Sequence, residues 1–430
     1  MSENTSSRSS MSRRRLLTAT TGGVAGLALG GCLDSAESVV GADTDDDESI
    51  TIGLLAPKPD SNYVGRSMQR SAALAVDELN DGGGINGRHV ELAVGNTNGN
   101  PLETRRQYQR LVLEEAADVT VGVFDSPSLV NILDDIAEQE TIHLTSGAAT
   151  TTPSERIAAD YDRYKYHFRV GPPNDHHLGQ GQVDFLDDMA AEVGWESVAL
   201  LAEDYEWTKE PWDVYQTRLP ELGLDVVMEQ RYPPAMDDFS GVYDEVQDHG
   251  ADAAIMTTAH TGNETVRDWA LNQRPFAFGG IHVPMQLPVY YEQTNGACAY
   301  GFGLTTATAQ SSFGGSTEAF ITAYQDTYEG PNPVYTGYHT YDAITLFAHV
   351  VEQTGTLDAD ELVAALEDVS FSGTVGTVEF EGLEESYPHD FRYYKDQMHC
   401  FQWQPTDDGD GVQEIIWPDE HATSEYIAPN

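Results

Sequence analysis

A regular alternation of short apolar runs with helix-periodic segments is the feature that most constrains the fold of this chain. Runs such as ITIGLLAP, residues 50–57, and SVALLAED, residues 197–204, have the length and composition of buried strands. Between them, apolar residues recur at helical spacing. Strand–helix–strand order predicts parallel sheets covered by helices. Because two such series of similar size follow each other, we predict an α/β fold with two doubly wound parallel-sheet lobes.

The charge balance is strongly acidic. The 430 residues include 71 acidic and 22 basic side chains, which gives a formal net charge of −49. Such a surface repels phosphate, so nucleic acid is excluded as a partner. Many carboxylates with only four lysines predict a protein adapted to molar salt, where the Debye length is about 3 Å and self-repulsion is screened. An ordinary acidic protein is the alternative.

The first 31 residues have the pattern of an export signal. Arginines precede a short run rich in Gly, Ala and Thr, which is too interrupted for a good membrane span. Arg13 and Arg14 resemble the twin-arginine signal, and LGGC at residues 29–32 resembles a lipobox. We therefore predict lipidation of Cys32 and a lipid anchor at the outer face of the cell membrane. The alternative is an uncleaved signal anchor with a chance cysteine.

An acidic segment without apolar periodicity follows the signal. Residues 32–48 include DTDDDE and are predicted to be a solvated tether between the lipid and the folded protein. The folded part is expected to begin at Ser49.

Polar and aromatic residues collect directly after the predicted strands. Parallel α/β sheets bind ligands outside the carboxyl ends of their strands. Hydroxyls, rings and turn amides at those ends suit a small polar solute that has an apolar part. The expected ligand-binding residues are Tyr63, Asp125, Ser126, Ala148, Ala149, Thr150, Tyr205, Trp207, His260, Ile281 and His282.

Several longer stretches resemble the leucine/isoleucine/valine-binding protein family. The stretches are IGLLAP with GRSMQRSAALAVDELNDGGGINGRHVEL, YPPAMDDFSGVYDEVQDHGADAAI, YHTYDAITLFAHVVEQTG and FSGTVGTVEF. The resemblance extends from Ile50 to about Trp403. It implies the type I periplasmic-binding fold and the role of substrate-binding component of an ABC importer, with a permease and its ATPase as partners.

The family also implies a layout of two lobes with about three chain crossings. One lobe is expected to hold residues 49–168 plus 283–360, and the other residues 169–282 plus 361–430. The solute would bind in the cleft between them, and closure about a hinge would bury it.

Some residues of the family's site have matches in this chain. Ser126 matches the serine that binds the ligand carboxylate, and Ala149 with Thr150 match the turn after the next strand. Trp207, with Tyr205 nearby, matches a position that is aromatic in the family.

Other positions depart from the family. Where amino-acid-binding members place a carboxylate for the ligand ammonium, this chain has Ile281 beside His282. A buried ammonium without a counter-charge costs several kcal/mol. Amides, urea-like molecules and small carboxylates are therefore alternatives to an amino acid, unless Asp125 or Glu206 supplies the charge.

Two other classes of function compete with solute transport. A hydrolase would need a nucleophile or metal motif, and neither GxSxG nor HExxH occurs in the sequence. A surface sensory receptor could use the same two-lobe clamp, and sequence does not separate it from a transport receptor. We predict a binding protein that is not an enzyme.

The remaining motifs carry little weight. Neighbouring histidines on a helix point apart, so His176 and His177 predict no metal site, and no cofactor is expected. Asn263 opens an N-glycosylation sequon. Cys298 and Cys400 have no metal-like spacing and are predicted to be unpaired thiols in strands.

Overall fold

The alternating sequence folds into two separate sheets. The computed structural model describes residues 49–429. Arg13, Arg14, Cys32 and the tether of residues 32–48 lie outside the described residues. We call the half built on the first sheet the first lobe and the half built on the second sheet the second lobe.

The first sheet is five-stranded and fully parallel. Its strands are β1 (Ile50–Ala56), β2 (Val90–Asn96), β3 (Val119–Gly122), β4 (His143–Thr145) and β5 (His167–Arg169). They lie in the order β2-β1-β3-β4-β5. β1 and β2 pair along their whole length, with Ile50 opposite Val90.

The second sheet has seven strands. They are β6 (Ser197–Glu203), β7 (Asp225–Tyr232), β8 (Ala253–Thr258), β9 (Ala277–His282), β10 (Phe302–Thr305), β13 (His399–Pro405) and β14 (Gly411–Trp417), and a separate two-stranded hairpin comprises β11 (Phe371–Gly373) and β12 (Gly376–Val378). The order in the sheet is β14-β13-β10-β9-β8-β6-β7. Five strands are parallel, whereas β13 pairs antiparallel with both β10 and β14.

The two sheets confirm the predicted α/β fold with parallel strands. Most of the helices connect successive parallel strands, and the last three lie between β10 and β11. The helices are α1 (Tyr63–Asp81), α2 (Pro101–Leu113), α3 (Ser126–Val130), α4 (Leu133–Gln139), α5 (Thr152–Ala159), α6 (Tyr161–Tyr164), α7 (Asp175–Val193), α8 (Lys209–Arg218), α9 (Ser240–Asp248), α10 (Glu264–Leu271), α11 (Tyr290–Gln293), α12 (Gly315–Thr327), α13 (Tyr335–Thr354) and α14 (Ala359–Glu367). Short 3₁₀ segments occur at Glu206–Thr208, Leu219–Leu222, Val283–Gln286 and Lys395–Gln397.

Asparagine caps start several of these helices. The Asn100 side chain accepts hydrogen bonds from the backbone of Leu102 and Glu103, and Pro101 occupies the first helical position. Asn174 caps α7 by accepting from the backbone N–H of His177. These caps fix where each helix leaves the carboxyl end of the preceding strand, which is where the candidate site lies.

Each lobe has its own apolar core. One cluster of buried side chains surrounds the first sheet and includes Ile52, Val121 and Leu346. Two further clusters cover the two faces of the second sheet. The chain passes between the lobes at residues 170–174, 306–314 and 392–398.

The structure corrects the expected division of the chain. The segment 283–360, expected in the first lobe, is split, because β10 pairs with β9 and β13 in the second sheet. The segment 361–430, expected in the second lobe, is split as well, since Leu362, Val378 and Phe391 pack in the first-lobe core. These crossings are decided by contacts between distant segments, which sequence patterns do not report.

Both described cysteines are free and buried. Cys400 lies in β13, but Cys298 lies in a turn rather than in the predicted strand. Among the helices within residues 49–429, none combines the length and hydrophobicity that a membrane span requires.

Candidate ligand-binding site

A small cavity lies where the carboxyl ends of strands from both sheets meet. Its volume is about 50 Å³, which is space for a few water molecules. Seven of the predicted residues line it: Asp125 and Ser126 after β3, Ala149 after β4, Tyr205 and Trp207 after β6, His260 after β8, and Ile281 in β9. Both lobes therefore contribute walls to one cavity.

Four predicted residues do not line this cavity. His282 and Ala148 are direct neighbours of lining residues, and successive side chains of an extended chain point to opposite sides. The His282 ring is buried against Thr265, with 2.8 Å between its Nε2 and the hydroxyl oxygen. The Thr150 hydroxyl pairs with Thr152, and the Tyr63 hydroxyl donates to a carbonyl in another loop.

A buried carboxylate that sequence reasoning missed organises the second-lobe wall. Glu203 ends β6 and is fully buried. Its oxygens accept from the Trp207 indole at 3.1 Å, the Thr258 hydroxyl at 2.9 Å, and both the backbone N–H (2.9 Å) and ring Nδ1 (2.8 Å) of His260. Burial favours the neutral acid, but the hydrogen bond and charge of His260 outweigh it and lower the pKa of Glu203.

His260 carries positive charge into the cavity. Burial opposes that charge, but Asp125 and Glu203 outweigh burial and raise the pKa of His260 to about 9. Its Nε2 lies 3.7 Å from Oδ1 of Asp125, which belongs to the other lobe. The Tyr205 ring packs against the imidazole with 4.2 Å between ring centroids. The cleft thus contains one cation between two carboxylates.

The first-lobe wall offers donors to an acyl oxygen. The Ser126 hydroxyl oxygen accepts from the backbone N–H of Thr150 at 3.3 Å, which leaves its own proton free to donate. Within residues 49–429, the backbone N–H of Ala149 has no hydrogen-bond partner. Ser126 and Ala149 both line the cavity.

A buried ion pair holds the turn that contains Ala149. Arg169 donates to the carbonyl oxygens of Ala148 and Thr150 and, through Nε, to Asp390 at 2.9 Å. Asn174 donates to the second oxygen of Asp390 at 2.8 Å. Arg169 and Asp390 are both fully buried. They come from different parts of the chain, which is why sequence patterns gave no sign of the pair.

The sequence analysis did not name the remaining residues that line the cavity. Some come from segments that do not follow a predicted strand, and others are apolar residues without a distinguishing pattern. Glu206, considered in the sequence as a counter-charge, instead pairs with Lys209 on the surface. The missed lining residues are Phe124, Gly147, Pro172, Leu178, Ala259, Val283, Gln286, Leu304, Thr305, Thr306 and Tyr335.

The sequence matches a known protein family over most of its length. A family profile described as "Periplasmic binding protein" matches residues 49–395. A Leu/Ile/Val-binding protein homolog of Brucella abortus is 23% identical over 384 residues, which are 85% of this chain and 90% of that protein. A Halobacterium salinarum protein named chemotactic signal transduction system substrate-binding protein BasB is 26% identical over 335 residues, 76% of each chain. A match to an amino acid binding protein of Pseudomonas aeruginosa, 24% identical, covers 52% of this chain and only 57% of that relative.

Solved structures share the fold. A solute-binding protein of an ABC transporter from Rhodopseudomonas palustris, in complex with 3,4-dihydroxybenzoic acid, superposes with a TM-score of 0.72 at 18% identity, covering 89% of this chain and 98% of that one. The substrate-binding protein LivJ from Streptococcus pneumoniae, in complex with isoleucine, gives 0.70 at 16% identity, covering 86% and 100%.

Proposed function

The chain belongs to the periplasmic binding protein family, and from this premise we propose that it is the extracytoplasmic solute receptor of an ABC importer. It binds a small polar organic solute in the cavity between its lobes and delivers it to a permease driven by an ATPase. The solute is branched-chain amino-acid-like, amide or urea-like. Members of this family bind solutes, and the chain is not an enzyme.

The observation that carries this proposal is a single cavity with walls from both lobes. Asp125 and Ser126 come from one sheet, and Trp207 and His260 from the other. A solute in that position contacts both halves, so its binding energy favours the closed arrangement over an open one.

The lining supports a solute with two unlike ends. Ser126 and the Ala149 N–H are donors for an oxygen atom, while Leu178, Trp207 and Ile281 provide apolar surface. Mostly apolar walls with a few placed polar groups are typical of small-molecule sites.

The test is a thermal-shift screen of purified protein in molar KCl. The panel contains leucine, isoleucine, valine, their carboxamide and carboxylate analogues, and urea. A solute at 100 times its Kd raises stability by about 2.7 kcal/mol, so a binder shifts Tm by several degrees. Calorimetry then confirms each hit. If no solute raises Tm, or if a hit still binds after Trp207→Ala and Ser126→Ala together, the proposed site is wrong.

We also propose that Cys32 carries the lipid anchor and that Arg13 and Arg14 direct export. Cys32→Ser should move the protein from the membrane fraction into the medium, since one lost lipid removes the anchor. Arg13→Lys with Arg14→Lys should instead leave the precursor inside the cell. Membrane retention of Cys32→Ser after a carbonate wash would contradict lipidation.

A sensory role is the second candidate, and the similarity to the Halobacterium chemotactic protein favours it. Deletion of the gene separates the two roles. Loss of uptake of the solute with normal chemotaxis supports transport, whereas the opposite pattern supports sensing.

A further inference from the structure

We propose that His260 is a built-in cation that sets the solute class of the cleft: a neutral carboxamide on an apolar body, with neither an ammonium nor a carboxylate group. This inference rests on the proposed function and narrows it. It follows from how the charges of the cavity are already paired.

Glu203 has no acceptor left for a solute ammonium. A carboxylate offers about four lone-pair sites. Four donors occupy them: the Trp207 indole, the Thr258 hydroxyl and two N–H groups of His260. A carboxylate whose acceptor sites are all occupied has no hydrogen bond to offer a ligand ammonium.

Asp125 faces the same cation. Its Oδ1 is 3.7 Å from Nε2 of His260. Its Oδ2 lies on the side of Gly99, where a Cβ added to that glycine would stand 3.4 Å from the oxygen. An ammonium placed beside Oδ1 would therefore lie against the imidazolium, and like charges at such distances repel.

The net charge of the cluster disfavours an anion as well. The titratable groups that face His260 are Glu203 and Tyr205 from the second lobe and Asp125 from the first. The raised pKa of His260 keeps it protonated near neutral pH. Two carboxylates and one imidazolium sum to −1, so a solute carboxylate enters an unfavourable field.

The unpaired polar atoms fit a carboxamide. The distance of 3.7 Å in the His260–Asp125 ion pair exceeds hydrogen-bond length, so among residues 49–429 the His260 Nε2–H can still donate to a carbonyl oxygen, as can Ser126 and the Ala149 N–H. Gln286 is 7% exposed, and its Oε1 has no partner within residues 49–429 while its Nε2 donates to the Leu304 carbonyl. Buried acceptors rarely stay unpaired, and a carboxamide N–H supplies the missing donor.

The experiment compares solutes that share one hydrocarbon skeleton. Leucine, 4-methylpentanoate and 4-methylpentanamide form one set, and phenylalanine, 3-phenylpropanoate and 3-phenylpropanamide form another. Calorimetry is done in molar KCl at pH 7 with the full chain. We expect the amide of at least one set to bind about tenfold or more tightly than its two partners, a difference worth about 1.4 kcal/mol.

Charge-swap variants test the cause. His260→Gln makes the cluster −2, so the amino acid should gain affinity relative to the amide. Asp125→Asn makes it neutral, so the carboxylate should gain relative to the amide. His249→Gln, an exposed histidine at the end of α9, is the matched control and should leave the order unchanged.

The outcomes separate the two proposals. An amino acid or carboxylate that binds wild type as tightly as its amide overturns this inference while the solute-receptor proposal stands. Binding of no solute from either set overturns this inference, and the solute-receptor proposal fails as well only if no member of the wider thermal-shift panel binds. If His260→Gln does not fold, the wild-type order and Asp125→Asn still decide.

Discussion

Adjacent residues at this cavity differ in where their side chains point. Ile281 lines the cavity, but the His282 ring turns into the second-lobe core, where burial lowers its pKa to about 4. Ala149 lines the cavity, whereas Ala148 packs in the first-lobe core. Residue type does not separate the members of these pairs. The direction of each side chain does, and the local backbone sets that direction.

Ser126 gives the most direct test at the residue scale. Ser126→Ala should weaken binding of the best solute by about 1–3 kcal/mol, because it removes a hydroxyl donor from an enclosed site. Calorimetry in molar KCl measures the change. Ser128→Ala is the control, since Ser128 is buried on the same helix but does not line the cavity. Equal affinities of the two variants would reject the role of Ser126.

The turn after β4 shows how one element depends on another. The buried Arg169–Asp390 pair joins the end of the first sheet to the segment that returns toward the second lobe. Asp175 adds to this by accepting from the Thr151 N–H at 3.1 Å. The loop that offers donors to a solute is therefore held by side chains from two distant parts of the chain, residues 169–175 and Asp390.

Breaking the Arg169–Asp390 pair should strongly lower the free energy of unfolding. Asp390→Asn and Arg169→Met should each lower the free energy of unfolding by about 3–5 kcal/mol, because each leaves a buried charge without its partner. Denaturant titration in molar KCl measures this.

The control is an exposed pair. Arg163→Ala removes an ion pair to Asp134 whose side chains are 48% and 59% exposed, and it should cost less than about 1 kcal/mol. A loss of similar size for the buried and exposed pairs would contradict the role given to Arg169.

The net charge makes the stability of the whole molecule depend on salt. With a net charge of −49, self-repulsion opposes the compact state wherever salt does not screen it. We expect loss of helical circular dichroism on dialysis from molar KCl to dilute buffer, with recovery when salt is restored. An unchanged spectrum in dilute buffer would show that the fold does not depend on salt.

Acid should destabilise the protein through its buried histidines. Burial lowers the pKa values of His143, His339 and His399 to about 3. These rings stay neutral when folded but take up protons when unfolded, below about pH 6.5. Above about pH 6.5 these rings do not affect the free energy of unfolding. Between about pH 6.5 and pH 3 each ring lowers it by about 1.4 kcal/mol for every unit that the pH falls.

Denaturant titrations at constant KCl between about pH 7 and pH 4 measure that slope. His143→Gln should reduce the slope even if it lowers stability at neutral pH, whereas His249→Gln should leave it unchanged. An identical slope in both variants would contradict the argument.

Sequence alone determined the α/β class and strands such as those that begin at Ile50 and Ser197. Strand composition is a local property, so a linear pattern contains it. It also pointed to the strand ends that meet at the cavity, because parallel strands end at the same edge.

Only the tertiary structure decided which of those residues share the cavity, where the chain crosses between lobes, and how the charges pair. Glu203, Arg169 and Gln286 gained their importance from partners up to 221 positions away in the chain. The physical reason is that burial and ion pairing depend on three-dimensional neighbours, which packing of the whole chain sets.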